Sequence, residues 1–172
     1  MKTFSEVVDN HLLPLYTRRG TSIRYVGQPH YDGCALAALA MLGDKSFTDM
    51  FAIVNKNIRY GDFSDWRLFS SRSFTLALEW KRIVRIAEKK LNLKISRVRS
   101  RVFKNEKTLK LLDTFKGPTL LAIDWGCTST FHCVIWDPKA RVFLDPGTCE
   151  ADNWREYVMN ISAFIELNPV QS

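Results

Sequence analysis

An α+β fold is the class this sequence predicts, and three observations predict it. Between about 74 and 91 the apolar residues Leu76, Trp80, Ile83, Val84, Ala87 and Leu91 recur at helical spacing. A second apolar run, 34–42, is rich in alanine and reads as a buried helix whose small side chains permit close packing. After Gly117-Pro118 the pattern changes to short β-like runs broken by turn residues. A helical first half followed by an antiparallel second half is the α+β order, distinct from alternating βαβ units. At 172 residues, 46% of them hydrophobic and 25% charged, the chain is expected to fold as one domain over 1–172 with a core that needs no staples.

The elements follow in order. Phe4, Val7, Val8, His11, Leu12 and Leu13 are spaced as a short first helix, and Pro14 lies just beyond it. Arg24-Tyr25-Val26 reads as a loop or short strand. The apolar run at 34–42 ends at Gly43, and Ser46 is placed to cap a helix over about 47–57. Gly61, Asp62 and Ser64 mark irregular chain. In the helix at 74–91 one face goes to the core, while Lys81, Arg82, Arg85 and Lys89 decorate the other. Residues 93–98 alternate like a strand, and 109–115 read as a short helix stopped by Gly117-Pro118. Strands are expected over 119–124, 133–136 and 141–144, the last two joined into a hairpin by a turn at Asp137-Pro138-Lys139. A run at 161–167 is expected to close the sheet. No internal repeat, low-complexity tract or linker divides the sequence.

Charge and cysteines narrow the function classes. Residues 72–110 hold 13 Lys and Arg against 3 Glu, a local balance of +10 within a chain of net charge +7. This basic block is able to contact nucleic acid, an anionic membrane surface or an acidic protein; its plainer reading is a solvated helix face plus a basic strand. The four cysteines, Cys34, Cys127, Cys133 and Cys149, form no C-x-x-C pair, and with histidines only at 11, 30 and 132 they make a poor zinc set, so no metal is expected. Residues 1–13 include Glu6 and Asp9 and lack the apolar run of a signal peptide, and no window reaches the ~18 apolar residues of a membrane span. The chain is therefore expected to be soluble and cytoplasmic where it is made, with free thiols.

One spacing carries chemistry. Gln28 and Cys34 stand six residues apart in Gln28-Pro29-His30-Tyr31-Asp32-Gly33-Cys34, and the buried helix opens at the cysteine. The helix start and an imidazolium partner would each lower the thiol pKa, and the Gln28 amide with the Cys34 N–H would point at a developing oxyanion. A lone cysteine in such a place is ordinarily just a small buried residue; Gln28 and the helix start shift the reading toward a nucleophile. His132 is the one histidine inside a β-like apolar run, where its ring nitrogens need partners. Asp145, thirteen residues on at the end of the next strand, is able to come alongside it across the hairpin and hold its tautomer. Asp137 is a rival orienter, but beside Pro138 it reads as a turn former. His30 is expected to line the mouth of the cleft, and Tyr31, Trp125, Gly126 and Trp136 are candidates for its walls.

In these residues the chain resembles the papain-like cysteine peptidase superfamily, and within it most closely the branch containing the double-glycine leader peptidases of bacteriocin exporters. The resemblance covers three segments: Gln28 to Cys34 with its helix, His132-Cys133-Val134-Ile135 opening a hydrophobic strand, and Asp145-Pro146 as the orienter in an Asp-Pro pair. Gly117-Pro118 before an apolar strand is similar too. The resemblance implies a papain-like fold, with the nucleophile helix of an N-terminal helical half packed on a C-terminal antiparallel sheet. It implies Cys34 as nucleophile, His132 as base, Asp145 as orienter and Gln28 as oxyanion donor, with no dissociable cofactor. The resemblance also implies a product of the kind often found in bacteria or phage, including effectors delivered into a host cell without a cleavable signal peptide.

The leading expectation is thus a thiol hydrolase acting on a peptide, isopeptide or side-chain amide bond of a protein or peptide substrate. A deamidase or acyltransferase would use the same four residues. From a different class, a polyanion- or nucleic-acid-binding protein would use the basic 72–110 segment and leave the thiol site degenerate. That segment lacks the interleaved aromatics of single-strand binders, Phe103 being the one aromatic between Trp80 and Phe115.

Overall fold

The computed structural model describes residues 21–29, 33–54, 80–103, 109–124, 131–147 and 154–169. The expected first helix at 4–13, the irregular chain around Gly61, and His30, Tyr31, Trp125 and Gly126 lie outside the described residues. Those described form a mixed α+β fold: α1 (Cys34–Leu42), α2 (Phe47–Val54), α3 (Trp80–Lys89), β1 (Ile95–Arg99), α4 (Leu109–Thr114), β2 (Thr119–Ile123), β3 (His132–Asp137), β4 (Val142–Leu144), α5 (Trp154–Asn160) and β5 (Ile161–Leu167).

Helix α1 is buried from Cys34 through Met41, which its alanines allow by letting neighbours approach on every side. Its end differs in one detail from the sequence reading. Gly43 donates to the Leu39 carbonyl at 2.9 Å, but the left-handed residue that turns the chain is Asp44, with φ 49°. Gly43 has a packing reason instead: a Cβ there would sit 3.2 Å from the Leu91 side chain. Ser46 starts α2 with a reciprocal cap, its Oγ accepting from the Asp49 N–H at 3.0 Å while the Asp49 carboxylate accepts from the Ser46 hydroxyl at 2.7 Å. In α3, Ile83, Ile86 and Ala87 face the core, and Lys81, Arg82, Arg85 and Lys89 are exposed.

The strands form one antiparallel sheet in the order β1-β5-β2-β3-β4. Strand β5 does not close the sheet at an edge, as its last place in the chain suggested. It lies between β1 and β2, and its residues explain why: Ile161, Ala163, Phe164 and Ile165 are buried, so both faces need cover. Strand β1, exposed along four of its five residues, suits the edge. Nor are helices and strands segregated into halves, since β1 precedes α4 and α5 interrupts the strand run.

Side chains of the sheet divide between two faces. Leu120, Cys133, Ile135, Leu144 and Ile165 pack against α1, α2 and α3. Leu121, Ile123, Val134, Trp136, Phe143 and Phe164 pack against Leu112 of α4 and Tyr157 and Val158 of α5. The sheet is therefore covered by helices on both sides, which is why β2 and β3 read as nearly continuous apolar runs. At the β1 end, buried Glu166 is paired with Arg97 and accepts from the Lys116 and Gly117 N–H groups, while the Arg97 guanidinium lies 5.2 Å from the Phe115 ring centroid. No helix among the described residues is long and apolar enough to cross a membrane.

Candidate active site

The site forms at one end of the sheet, where α1 begins and β3 begins. Cys34 is the first residue of α1, capped by Gly33, and is 8% exposed. As the first helical residue it has a backbone N–H with no acceptor inside the helix. Its Sγ lies 4.0 Å from the Phe131 carbonyl, and Phe131 is held edge-on to Trp80 of α3 at 5.9 Å between ring centroids. The next residue, His132, opens β3 opposite the last residue of β2, Ile123.

The β3–β4 hairpin brings the orienter. Its register pairs Ile135 with Leu144, Trp136 with Phe143 and Asp137 with Val142. Carried one residue further, that register sets Asp145 opposite Val134, diagonal to His132 on the same face, within reach of a side-chain pair. His132 Nε2 and Asp145 Oδ1 are 2.8 Å apart, with the imidazole 22% and the carboxylate 2% exposed. Asp137, the rival, builds the turn: its Oδ1 accepts from the Lys139 and Ala140 N–H groups at 2.9 and 3.3 Å, and its Oδ2 accepts from the Thr21 hydroxyl at 2.6 Å. Trp136, a candidate groove wall, is instead core, its ring tilted against Phe143 with centroids 4.8 Å apart on the face away from α1.

Gln28 is drawn to the same end through the backbone, its N–H donating to the Pro146 carbonyl at 2.8 Å. Its carboxamide lies beside Gly147, 3.6 Å from where a Cβ would stand. The absent side chain there leaves room for both Gln28 and the Asp145 carboxylate, whose Oδ1 accepts from the Gly147 N–H at 2.7 Å.

Two residues that the sequence did not single out complete the arrangement. Cys133, fully buried on the α1 face of β3, neighbours the Cys34 thiol and lowers its pKa. Tyr157 of α5 donates its hydroxyl to Asp145 Oδ2 from the opposite side of the sheet. The alternation of β3 was the signal for Cys133, since a residue after His132 must face α1 if His132 faces the hairpin. Tyr157 left a weaker trace, in the helical spacing of Trp154, Tyr157 and Val158.

These contacts set the charge states. The hydrogen bond from Cys133 is the largest influence pulling the Cys34 thiol down to about 5; burial opposes it, and the His132 hydrogen bond and positive charge add to it. Burial pushes the His132 pKa down, but the Asp145 and Cys34 hydrogen bonds and charges outweigh it and raise it to about 9. Burial likewise opposes ionisation of Asp145, yet His132, Tyr157 and the Gly147 N–H hold its carboxyl below the usual range. Cys133 is pushed well up, first by its hydrogen bond to Cys34 and then by burial and the Cys34 charge. At neutral pH the result is a Cys34 thiolate beside a His132 imidazolium, with Nε2 committed to Asp145 and Nδ1 left for the sulfur. Such a pair is able to attack a carbonyl carbon and protonate a leaving group. Among the described residues no group of three or more His, Cys, Asp or Glu side chains converges as a metal site. No protein-family model, curated protein or solved structure matches the chain.

Proposed function

We propose that the protein is a papain-like thiol hydrolase that cleaves an amide bond, peptide, isopeptide or side-chain, in a protein or peptide substrate. One observation carries the reading: a nearly buried thiol at a helix start, its pKa lowered by the neighbouring His132, meets an imidazole whose Nε2 is held 2.8 Å from a buried carboxylate. The Cys34 thiolate attacks the amide carbon, and the oxyanion is met by the Cys34 N–H and the Gln28 carboxamide. The His132 imidazolium then gives its proton to the leaving nitrogen as the C–N bond breaks, leaving a thioester on Cys34. Neutral His132 next takes a proton from water, whose oxygen attacks the thioester and releases the acid with the thiolate restored. Asp145 keeps the ring oriented throughout. Release of ammonia from a glutamine, or capture of the thioester by an amine, follows the same steps with a different leaving group or acceptor.

The test is alkylation of native protein by iodoacetamide across pH, mapped by mass spectrometry. Wild-type Cys34 is expected to label selectively at neutral pH, and His132→Ala to lose most of that advantage because the imidazolium no longer favours the thiolate. Equal labelling of Cys34 in the two proteins, only at alkaline pH, would remove the reading.

A second reading, contact with a polyanion, is favoured by the exposure of Lys81, Arg82, Arg85 and Lys89 on α3 and of Lys94, Arg97, Arg99 and Arg101 on and beside β1. It is compatible with the first, because these side chains belong to other elements than the thiol and its partners.

A further inference from the structure

We infer that Tyr157 is a positioning residue of the thiol centre: from the face of the sheet opposite α1, its hydroxyl locks the Asp145 carboxylate in the plane in which it orients the His132 imidazole. This inference rests on the reading of Cys34, His132 and Asp145 given above.

The two carboxylate oxygens divide their work. Oδ1 accepts from both the imidazole and the Gly147 N–H, at 2.8 and 2.7 Å, while Oδ2 accepts from Tyr157. The backbone is fixed too, since the Tyr25 hydroxyl donates to the Asp145 carbonyl at 2.9 Å. With Asp145 only 2% exposed, water has little access to replace a missing donor at Oδ2. The Tyr157 ring is itself held, edge-on to Phe143 at 5.4 Å within the cluster between the sheet and α4 and α5. That cluster needs an aromatic ring at this place, and phenylalanine would supply one. The hydroxyl answers a different need, because it donates to the carboxylate that holds the base.

The sign of its effect separates positioning from electronics. Were the carboxylate immobile without Tyr157, losing a donor would concentrate charge on it and raise the His132 pKa. A carboxylate that owes its plane to Tyr157 rotates when the hydroxyl is lost, and the His132 pKa falls. The inference requires the second outcome.

The experiment is Tyr157→Phe in the full chain, with His132 titrated by NMR on histidine-labelled protein and the Cys34 thiolate followed by its ultraviolet absorbance. The His132 titration is expected to drop by about one unit or more, and the acid limb of Cys34 labelling by iodoacetamide to move to higher pH. Titrations that coincide with wild type, or a His132 pKa that rises, overturn the inference. Should Tyr157→Phe fail to fold, a fluorinated tyrosine at 157 keeps the ring and acidifies the hydroxyl. A firmer lock then raises the His132 pKa, while a donor that only withdraws charge from the carboxylate lowers it, so a fall or no change overturns the inference. Ordinary His132 and Cys34 titrations in the wild type would instead remove the thiol centre itself. Perturbed wild-type titrations that Tyr157→Phe leaves unchanged would remove only the role of Tyr157.

Discussion

At the residue scale the chemistry turns on which atoms face Cys34, and Cys133 is the neighbour whose contribution is largest. Its S–H stabilises the thiolate by donating to it, while its own ionisation is blocked by the charge it faces. Cys133→Ala removes that donor, so the Cys34 pKa rises above about 5 and the acid limb of a labelling-rate profile moves to higher pH. The alkaline change near pH 9, where His132 gives up its proton, remains. An acid limb unmoved in Cys133→Ala would assign the thiolate to His132 and the helix start alone. The pairing of His132 with Asp145 was legible in the sequence because it depends on a hairpin with one readable turn, whereas the arrival of Gln28 and Cys34 at the same end depends on a distant backbone contact and on α1 packing against β3. Asp137 was legible as a turn former for the same reason. Cys133 and Tyr157 were harder, since each acts across a packing interface whose partner the sequence does not name.

At the element scale the helices and strands were largely visible from periodicity, while their order in space was not. Strand β5 shows the limit. Its residues announce a strand, but its place between β1 and β2 depends on pairings 38 and more residues apart. Helix α5 was missed because it is short and runs straight into β5, so its few apolar residues merge with the strand's. One close approach pins this part of the sheet: a Cβ on Gly117 would stand 2.1 Å from the Leu167 carbonyl oxygen. Both partners are backbone, so neither can rotate away. Gly117→Ala is therefore expected to cost about 3 kcal/mol, read as a lower urea midpoint at unchanged slope. A midpoint within error of wild type would mean that the start of β2 yields without disturbing its pairing to β5.

Across the whole molecule the charge is uneven, and the structure divides it by element. The exposed basic residues of α3 and β1 belong to a block of balance +10, so the remaining chain sums to −3. If that block holds a polyanion, retention on heparin falls steeply as salt rises and is the same in Cys34→Ala, because the contacts are to phosphate or sulfate charge and not to the thiol. Absence of retention at low salt would leave these side chains as a solvated face that also keeps the β1 edge from pairing with other chains. The block itself was plain in the sequence, whereas its division between a helix and an edge strand was not.

Burial of α1 has one more consequence, and it concerns time. In a helix enclosed from Cys34 to Met41 the hydrogen-bonded amides, from Ala37 onward, should be among the slowest of the fold to exchange with solvent. The two sulfurs at its mouth then keep different clocks. Cys34, at 8% exposure, is reached by a small reagent from the native state, and its modification rate should stay level as urea rises toward the transition. Cys133, with none of its surface exposed, waits for global unfolding, and its rate should climb with urea from the outset. A single peptide map of one reaction would thus read the reactivity of the native site at one cysteine and the stability of the fold at the other.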